Sequence, residues 1–365
     1  MRKYLPKSTE ELVRWYERYI SPIALVAGFL ADNYILLRRV DLWTSNLLLF
    51  FYLTVVSVGI VLINLIATGR LQKPFFIKAA PFLPVIAQFA FGGLFSGYVS
   101  LYSRSAAYST SWIFVVLLAL LLLGNERFTR FYARFTFQVG ILFTVLFSFL
   151  IFYLPVVLKS IGPGIFVASG VLSLILMAAF VRLLAYLMPE YVQAHRTKIA
   201  RSIAAIFVVF NILYFSNAIP PLPLALKYAG VYHNVAKQGD EYVLSAEPVP
   251  WYESYLRYNT LFHKTAGETV FIYSAVFAPS KFATTILHEW EYYDESAGSW
   301  VRTATFGFPI TGGRDGGYRG FSLRENIEAG KWRVNVKTGN GLIIGRIAFT
   351  AVDVPTPVKT VEVRN

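Results

Sequence analysis

The chain has 365 residues, a formal net charge of +13, a hydrophobic fraction of 56% and no cysteine. That apolar content is too high for a wholly soluble protein and points to membrane-spanning helices, while the missing thiols exclude disulfides, thiolate metal sites, iron–sulfur clusters and cysteine nucleophiles. The charge is uneven: residues 1–224 hold 19 Lys and Arg against 7 Asp and Glu, whereas residues 225–365 hold 15 against 14. The excess therefore lies between apolar runs, where membrane orientation accounts for it, and nucleic acid is not an expected partner.

Residues 1–19 begin polar and basic. Ser8 and Glu11 have capping-box spacing. Leu12, Trp15, Tyr16, Tyr19 and Ile20 then form an apolar stripe at helical spacing. This predicts an amphipathic helix lying in the cytoplasmic membrane interface. The first apolar run has no cleavable signal peptide around it.

Residues 20–219 read as seven spans, near 20–37, 43–68, 80–102, 107–123, 136–158, 164–188 and 202–219. With a cytoplasmic N terminus, the inner segments hold fourteen Lys and Arg and the outer loops four (Arg38, Arg39, Arg104, Lys159). That bias fits the positive-inside rule. An odd number of spans puts the C-terminal domain outside the cytoplasm. Only Ser103–Ala106 separates the third span from the fourth, so residues 80–123 are either two full spans or one re-entrant unit, which would reverse that placement.

Polar residues inside spans point to function. Asp32 is a proton or cation site, or a carboxylate paired with Arg38 or Arg39 near the outer interface. Arg182 binds an anion, or snorkels to the cytoplasmic interface. The third span carries Gly92, Gly93, Ser96, Gly97 and Ser100, a spacing that serves close helix packing or a polar path. Asp32, Arg182, Ser96 and Ser100 are thus the candidate intramembrane polar site. The spans lack histidine, with His195 expected in a cytoplasmic loop, and the last span has no lysine. No phosphate-cradling glycine loop or acid–base set appears. A non-enzymatic protein without cofactor or metal is the expectation.

Asn217–Leu224 contains three prolines in four residues. These end a helix and begin a stiff connector, placed at residues 220–227. From residue 228 the period changes to two. Strands are expected near 229–236, 241–247, 269–278, 284–293, 299–308, 317–323, 331–337 and 342–351, with turns at Glu295–Gly298 and Thr338–Gly341. Residues 251–264 read as a loop or short helix. The fold class is an α-helical transmembrane bundle followed by an all-β, immunoglobulin-like sandwich over residues 228–365.

Two runs stand out. Phe308–Phe321 holds five glycines in nine residues. Gly312, Gly313, Arg314, Asp315, Tyr318 and Arg319 form a candidate partner or anion-binding loop, whose N–H groups and arginines suit a carboxylate, phosphate or acidic sugar. The alternative is a strand connection whose arginines pair with Asp315, Glu289 or Glu291. In His288–Asp294, strand alternation sends His288, Trp290 and Tyr292 one way and Glu289 and Glu291 the other, which disfavours a shared metal site.

These runs, with Gly330–Val336 and Gly345–Phe349, resemble the bacterial multi-span membrane proteins with a C-terminal domain of unknown function, the "domain of unknown function 2914" family. The resemblance covers roughly residues 212–350. It implies a bacterial envelope protein with a sandwich-like C-terminal domain, and it carries no catalytic residue; the expected location is the bacterial inner membrane. The expected function is a non-enzymatic envelope protein, embedded in the lipid bilayer, whose extracytoplasmic sandwich binds a protein or acidic glycan. The alternative is a transporter or channel with the sandwich as a regulatory cap.

Overall fold

The computed structural model describes residues 29–30, 42–103, 112–125, 134–221, 223–249, 251, 260–279, 282–314 and 316–365. The chain divides into a helical unit, whose described residues run to Ile219, and a β-rich unit from Pro220 onward.

The helices are α1 (Trp43–Ala67), α2 (Pro74–Ala79), a 3-10 turn (Ala80–Phe82), α3 (Leu83–Ser103), α4 (Trp112–Asn125), α5 (Phe135–Leu158), α6 (Pro163–Leu187) and α7 (Pro189–Phe215). The run Pro74–Ser103 is continuous, and five helices among the described residues are long and apolar enough to cross a membrane. The described part of α4 is apolar and has 14 residues, a length of ~21 Å against a hydrocarbon core of ~30 Å. The expected interfacial helix, nearly all of the expected first span (with Asp32), and residues 104–111, which hold most of the expected 103–106 link and the start of the expected fourth span, lie outside the described residues.

Helix α5 is the hub, packed against α1, α3, α6 and α7. Its Phe147 meets the rings of Phe143, Phe166, Phe207 and Phe210 at centroid distances of 4.7 to 5.9 Å. In lipid such packing, rather than a hydrophobic force between helices, holds a bundle together. Gly93 admits Tyr52 so closely that a Cβ there would lie 2.6 Å from its ring. Buried polar groups bridge helices: Asn64 Nδ2 donates to Gln138 Oε1 at 2.5 Å, and Tyr98 and Tyr102 donate to the carbonyls of Val145 and Ser148 at 2.7 and 2.8 Å.

Helix α7 corrects the expected last span, and with it the loop placement of His195. It starts at Pro189, one residue after α6 ends, so His195, Arg196, Lys198 and Arg201 ride on a helix. Pro189 lacks the N–H needed to continue α6, yet suits the first turn of the next helix. The helix ends at Phe215, before the prolines are reached. Asn217 takes a left-handed conformation (φ 59°), and the N–H groups of Ala218 and Ile219 return to the Leu213 carbonyl.

The β-rich unit contains β1 (Ala225–Tyr232), β2 (Asn234–Gln238), β3 (Glu241–Ala246), β4 (Leu261–Lys264), β5 (Val270–Phe277), β6 (Ala283–Asp294), β7 (Ser299–Thr311), β8 (Tyr318–Arg324), β9 (Gly330–Thr338), β10 (Ile343–Asp353) and β11 (Val361–Arg364). They form three sheets, ordered β1-β5-β8, β4-β10-β9-β6-β7 and β11-β3-β2. All pairs are antiparallel except β4 with β10. Both expected hairpin turns are present: Gly298 (φ 61°) closes β6–β7 and Gly341 (φ 85°) closes β9–β10. Residues 261–264, expected in a loop or short helix, are strand β4 instead, because they pair with Thr350–Asp353 on β10.

The five-stranded sheet buries Ile286, His288, Trp290, Trp332, Val334 and Val336 on one face. The β1-β5-β8 sheet covers that face. His288 Nε2 lies 2.8 Å from Ser274 Oγ on β5, and its Nδ1 lies 2.9 Å from Ser322 Oγ on β8. A one-residue bulge at Thr303, opposite Trp290 and Glu291, bends the edge strand β7.

A basic sheet face as candidate functional site

The glycine-rich run is not one loop. Phe308–Thr311 completes β7, and Tyr318 opens β8, paired with Val276. Between them three backbone donors are already used. Gly312 N–H binds the Phe282 carbonyl, Gly313 that of Ala278 and Gly317 that of Arg314, at 2.7, 3.1 and 3.0 Å. The glycines serve close approach: a Cβ on Gly312 would lie 1.8 Å from the Pro279 carbonyl, and one on Gly320 would lie 2.4 Å from the Phe308 ring. Arg319 donates to the Asp240 carbonyl at 2.8 Å. Asp315 lies outside the described residues. The N–H groups of Gly312 and Gly313, expected to be free for a ligand, are therefore bonded within the chain.

The intramembrane candidates separate as well. Ser96 and Ser100 are buried in α3, but Arg182 is exposed on α6, away from the bundle interior. Asp32 lies outside the described residues. The structure thus brings Ser96 and Ser100 into one helix core and leaves Arg182 out of it.

His288 belongs to the core. It is fully buried, and burial pushes its pKa down to about 3, so the ring is neutral. Trp290 Nε1 donates to Ser322 Oγ at 3.0 Å. If Ser322 then donates to His288 Nδ1 and His288 Nε2–H to Ser274, both ring nitrogens, the indole N–H and the Ser322 hydroxyl are satisfied. Of the expected one-sided set, His288 and Trp290 are therefore present as a hydrogen-bonded core layer, with Tyr292 half-buried beyond them.

The opposite face of the five-stranded sheet carries the charge. Cross-strand register places Glu289 opposite Asn335, Glu291 opposite Arg333 and Arg346 opposite Asn335. Glu289 pairs with Lys337 and, at 3.8 Å, with Arg302. Glu291 pairs with Arg333 and accepts from Asn335 Nδ2 at 2.9 Å. Neither glutamate pairs with Arg314 or Arg319, which were alternative partners on sequence grounds. Arg346 Nε donates to Asn335 Oδ1 at 2.6 Å. Among the described residues no carboxylate forms a salt bridge with Arg346. Arg333 lies 4.3 Å over the Trp300 ring, Lys331 lies 5.4 Å over Tyr293, and the two rings meet at 5.2 Å.

Five bases (Arg302, Lys331, Arg333, Lys337, Arg346) thus face two acids, a balance of +3 in a segment whose total from residue 225 on is only +1. The sign of the face is held firmly. Burial pushes the Glu291 carboxyl up, but Arg333 and Asn335 bring it below its ordinary value. Burial, then the neighbouring Arg333 guanidinium, lowers Arg346 from its ordinary value. The result is an ordered cationic sheet with an aromatic rim. Alternation in residues 331–337 announced an outward charged row. Arg302 and Arg346 escaped notice because only strand register brings them to it.

Residues 283–351 match the family described as protein of unknown function (DUF2914). The DUF2914 segment contains β6 to β9 and most of β10, and so every base and acid of this face. It excludes the connector and β1 to β5, which the sequence resemblance had also covered. No curated protein matches the chain. A solved structure of Pseudomonas fluorescens alkylpurine DNA glycosylase AlkC, bound to DNA containing an abasic site analog, aligns with 77% of this chain and 83% of that chain at 13% identity and a TM-score of 0.22. So low a score carries no argument.

Proposed function

We propose that the chain is a non-enzymatic multi-pass protein of the bacterial inner membrane, with its N terminus in the cytoplasm and an immunoglobulin-like β domain outside, and that this domain binds an acidic glycan. The observation that carries the reading is the cationic face around Arg346. Its aromatic rim suits sugar rings, and its lateral ion pairs pre-order the side chains, so that little entropy remains to be lost on binding. The fourteen-to-four distribution of basic residues supports the orientation.

The full chain in nanodiscs is the reagent for the test, with an acidic polysaccharide and a neutral one of equal length as probes. The acidic chain should bind more tightly, with an affinity that falls as salt is added. Arg346→Gln combined with Arg302→Gln should weaken binding roughly tenfold or more, about 1.4 kcal/mol. If Arg314→Ala with Arg319→Ala abolishes binding instead, the 312–319 connection is the site. If neither pair matters, the partner is not an acidic glycan. A reporter fused after residue 365 tests the orientation separately.

The transporter or channel reading draws support from one observation. Gln88 Oε1, Ser96 Oγ and Ser148 Oγ are buried in the helical unit without hydrogen-bond partners. Ion or solute flux in proteoliposomes that is lost in Ser96→Ala would favour it.

A further inference from the structure

The three sheets meet at a cluster that neither the sequence nor the basic face involves. His233 is the single residue between β1 and β2, and its N–H binds the Ser245 carbonyl at 2.9 Å. Its side chain is 11% exposed and stacks on Phe262 at 4.4 Å. Each ring nitrogen faces a carboxylate: Nδ1 faces Glu268 Oε1, and Nε2 lies 3.3 Å from Glu247 Oε1.

Both carboxylates are positioned independently of His233. Glu247, just after β3, accepts the His263 N–H at 2.7 Å and lies 2.8 Å from His263 Nδ1. Glu268, just before β5, accepts the Thr265 N–H and hydroxyl at 2.7 and 2.8 Å. Beyond them, Lys264 on β4 is engaged by Asp353 on β10. The charged groups facing His233 are thus Glu247 from β3, Glu268 from the β4–β5 turn and, across Glu247, His263 from β4.

A neutral imidazole has one donor and one acceptor, so with a carboxylate on each nitrogen it sets a lone pair against an anion. The imidazolium satisfies both contacts. We infer that His233 is a proton-operated clasp, holding the β1–β2 corner, the end of β3 and the start of β5 together when it donates to Glu247 and Glu268. Among the described residues no three such side chains converge as a metal site; here the groups pair along a line.

The expected pH dependence has two legs. Burial lowers the His233 pKa, but Glu247 and Glu268 raise it above its ordinary 6.5. Its contribution to stability is therefore complete below pH 6.5 and is lost as pH rises through the higher folded value. Burial raises both carboxyls, but the donors around them bring them below the ordinary 4.5. Their contribution is complete above that value and is lost as pH falls through the lower folded values. The clasp is tightest in mildly acidic solution and opens on the alkaline side.

The test is amide hydrogen exchange on the full chain in nanodiscs, corrected for intrinsic rates, in peptides covering residues 228–236, 243–249 and 261–270. From about pH 5.5 to about pH 8.5 protection should fall, by up to tenfold per unit of pKa elevation. The β6–β7 hairpin serves as the internal reference. His233→Gln should abolish the pH response in these peptides, while Glu268→Gln, which keeps the imidazole, should shift it to lower pH. A wild-type response equal to that of His233→Gln would overturn the clasp. Zn2+ added at about pH 7.5 that restores protection in wild type but not in His233→Gln would also overturn it, in favour of a metal site. His233 ring resonances, assigned by their through-space contacts to the stacked Phe262 ring, should titrate above 6.5; a midpoint below it would overturn the inference even if a variant failed to fold.

Discussion

In the helical unit, the buried polar side chains among the described residues are all uncharged: Ser45, Asn64, Gln88, Ser96, Ser100, Asn125, Gln138, Ser148, Ser169 and Ser173. Several spend their hydrogen bonds on main-chain carbonyls, their own helix's or a neighbour's, as Asn125 does on Gln88 and Ser169 on Leu150. In the β-rich unit, charges are partly buried and paired sideways, as in Glu289 with Lys337 and Glu291 with Arg333. The difference fits the proposed placement of the helical unit in a bilayer and of the β-rich unit in water. A bare charge within a hydrocarbon layer is expensive, so polar function there is reduced to neutral glue. A sheet face in water can order many charges at once, each limiting the freedom of the next.

Four substitutions sharpen or break that contrast. Trp290→Ala removes the largest fully buried side chain of the β-rich unit and leaves Ser322 without its indole donor. It should cost about 3–5 kcal/mol, read as a loss of proteolytic resistance after residue 220 while the helical fragment persists. Loss of both together would show that the units do not fold separately. Gly320→Ala forces a methyl into the Phe308 ring, whereas Gly316→Ala meets nothing within 4 Å. The first should cost about 1–3 kcal/mol in denaturant titrations and the second well under about 1 kcal/mol. Asn64→Leu breaks the bond to Gln138, yet should cost only about 0.5–1 kcal/mol in detergent unfolding. A loss several times larger would mean that this pair is more than glue.

Much of this was legible in the sequence because it is periodic. The alternation in residues 331–337 and the turns at Glu295–Gly298 and Thr338–Gly341 depend on neighbours along the chain, and these elements stand as expected. What was missed depends on distant partners. β4 exists only because β10 lies beside it. His233, Glu247, His263 and Glu268 have no spacing that marks them as a group. Helix α7 starts thirteen residues before the expected span (Pro189 against residue 202) for a different reason. Hydropathy reports where a membrane would begin, and a helix runs on through polar residues such as Arg196 and Lys198 at no great cost.

The β11–β3 pairing has a consequence for synthesis. Val361–Arg364 pairs with Val243–Ala246, and Asn365 exchanges both backbone bonds with Tyr242. At about 5–20 residues per second, β3 leaves the ribosome roughly 6–25 s before β11. For that interval it is an open edge carrying only the β2 hairpin, available to any strand from a neighbouring nascent chain. The finished protein, with β11 in place, shows no trace of this exposure.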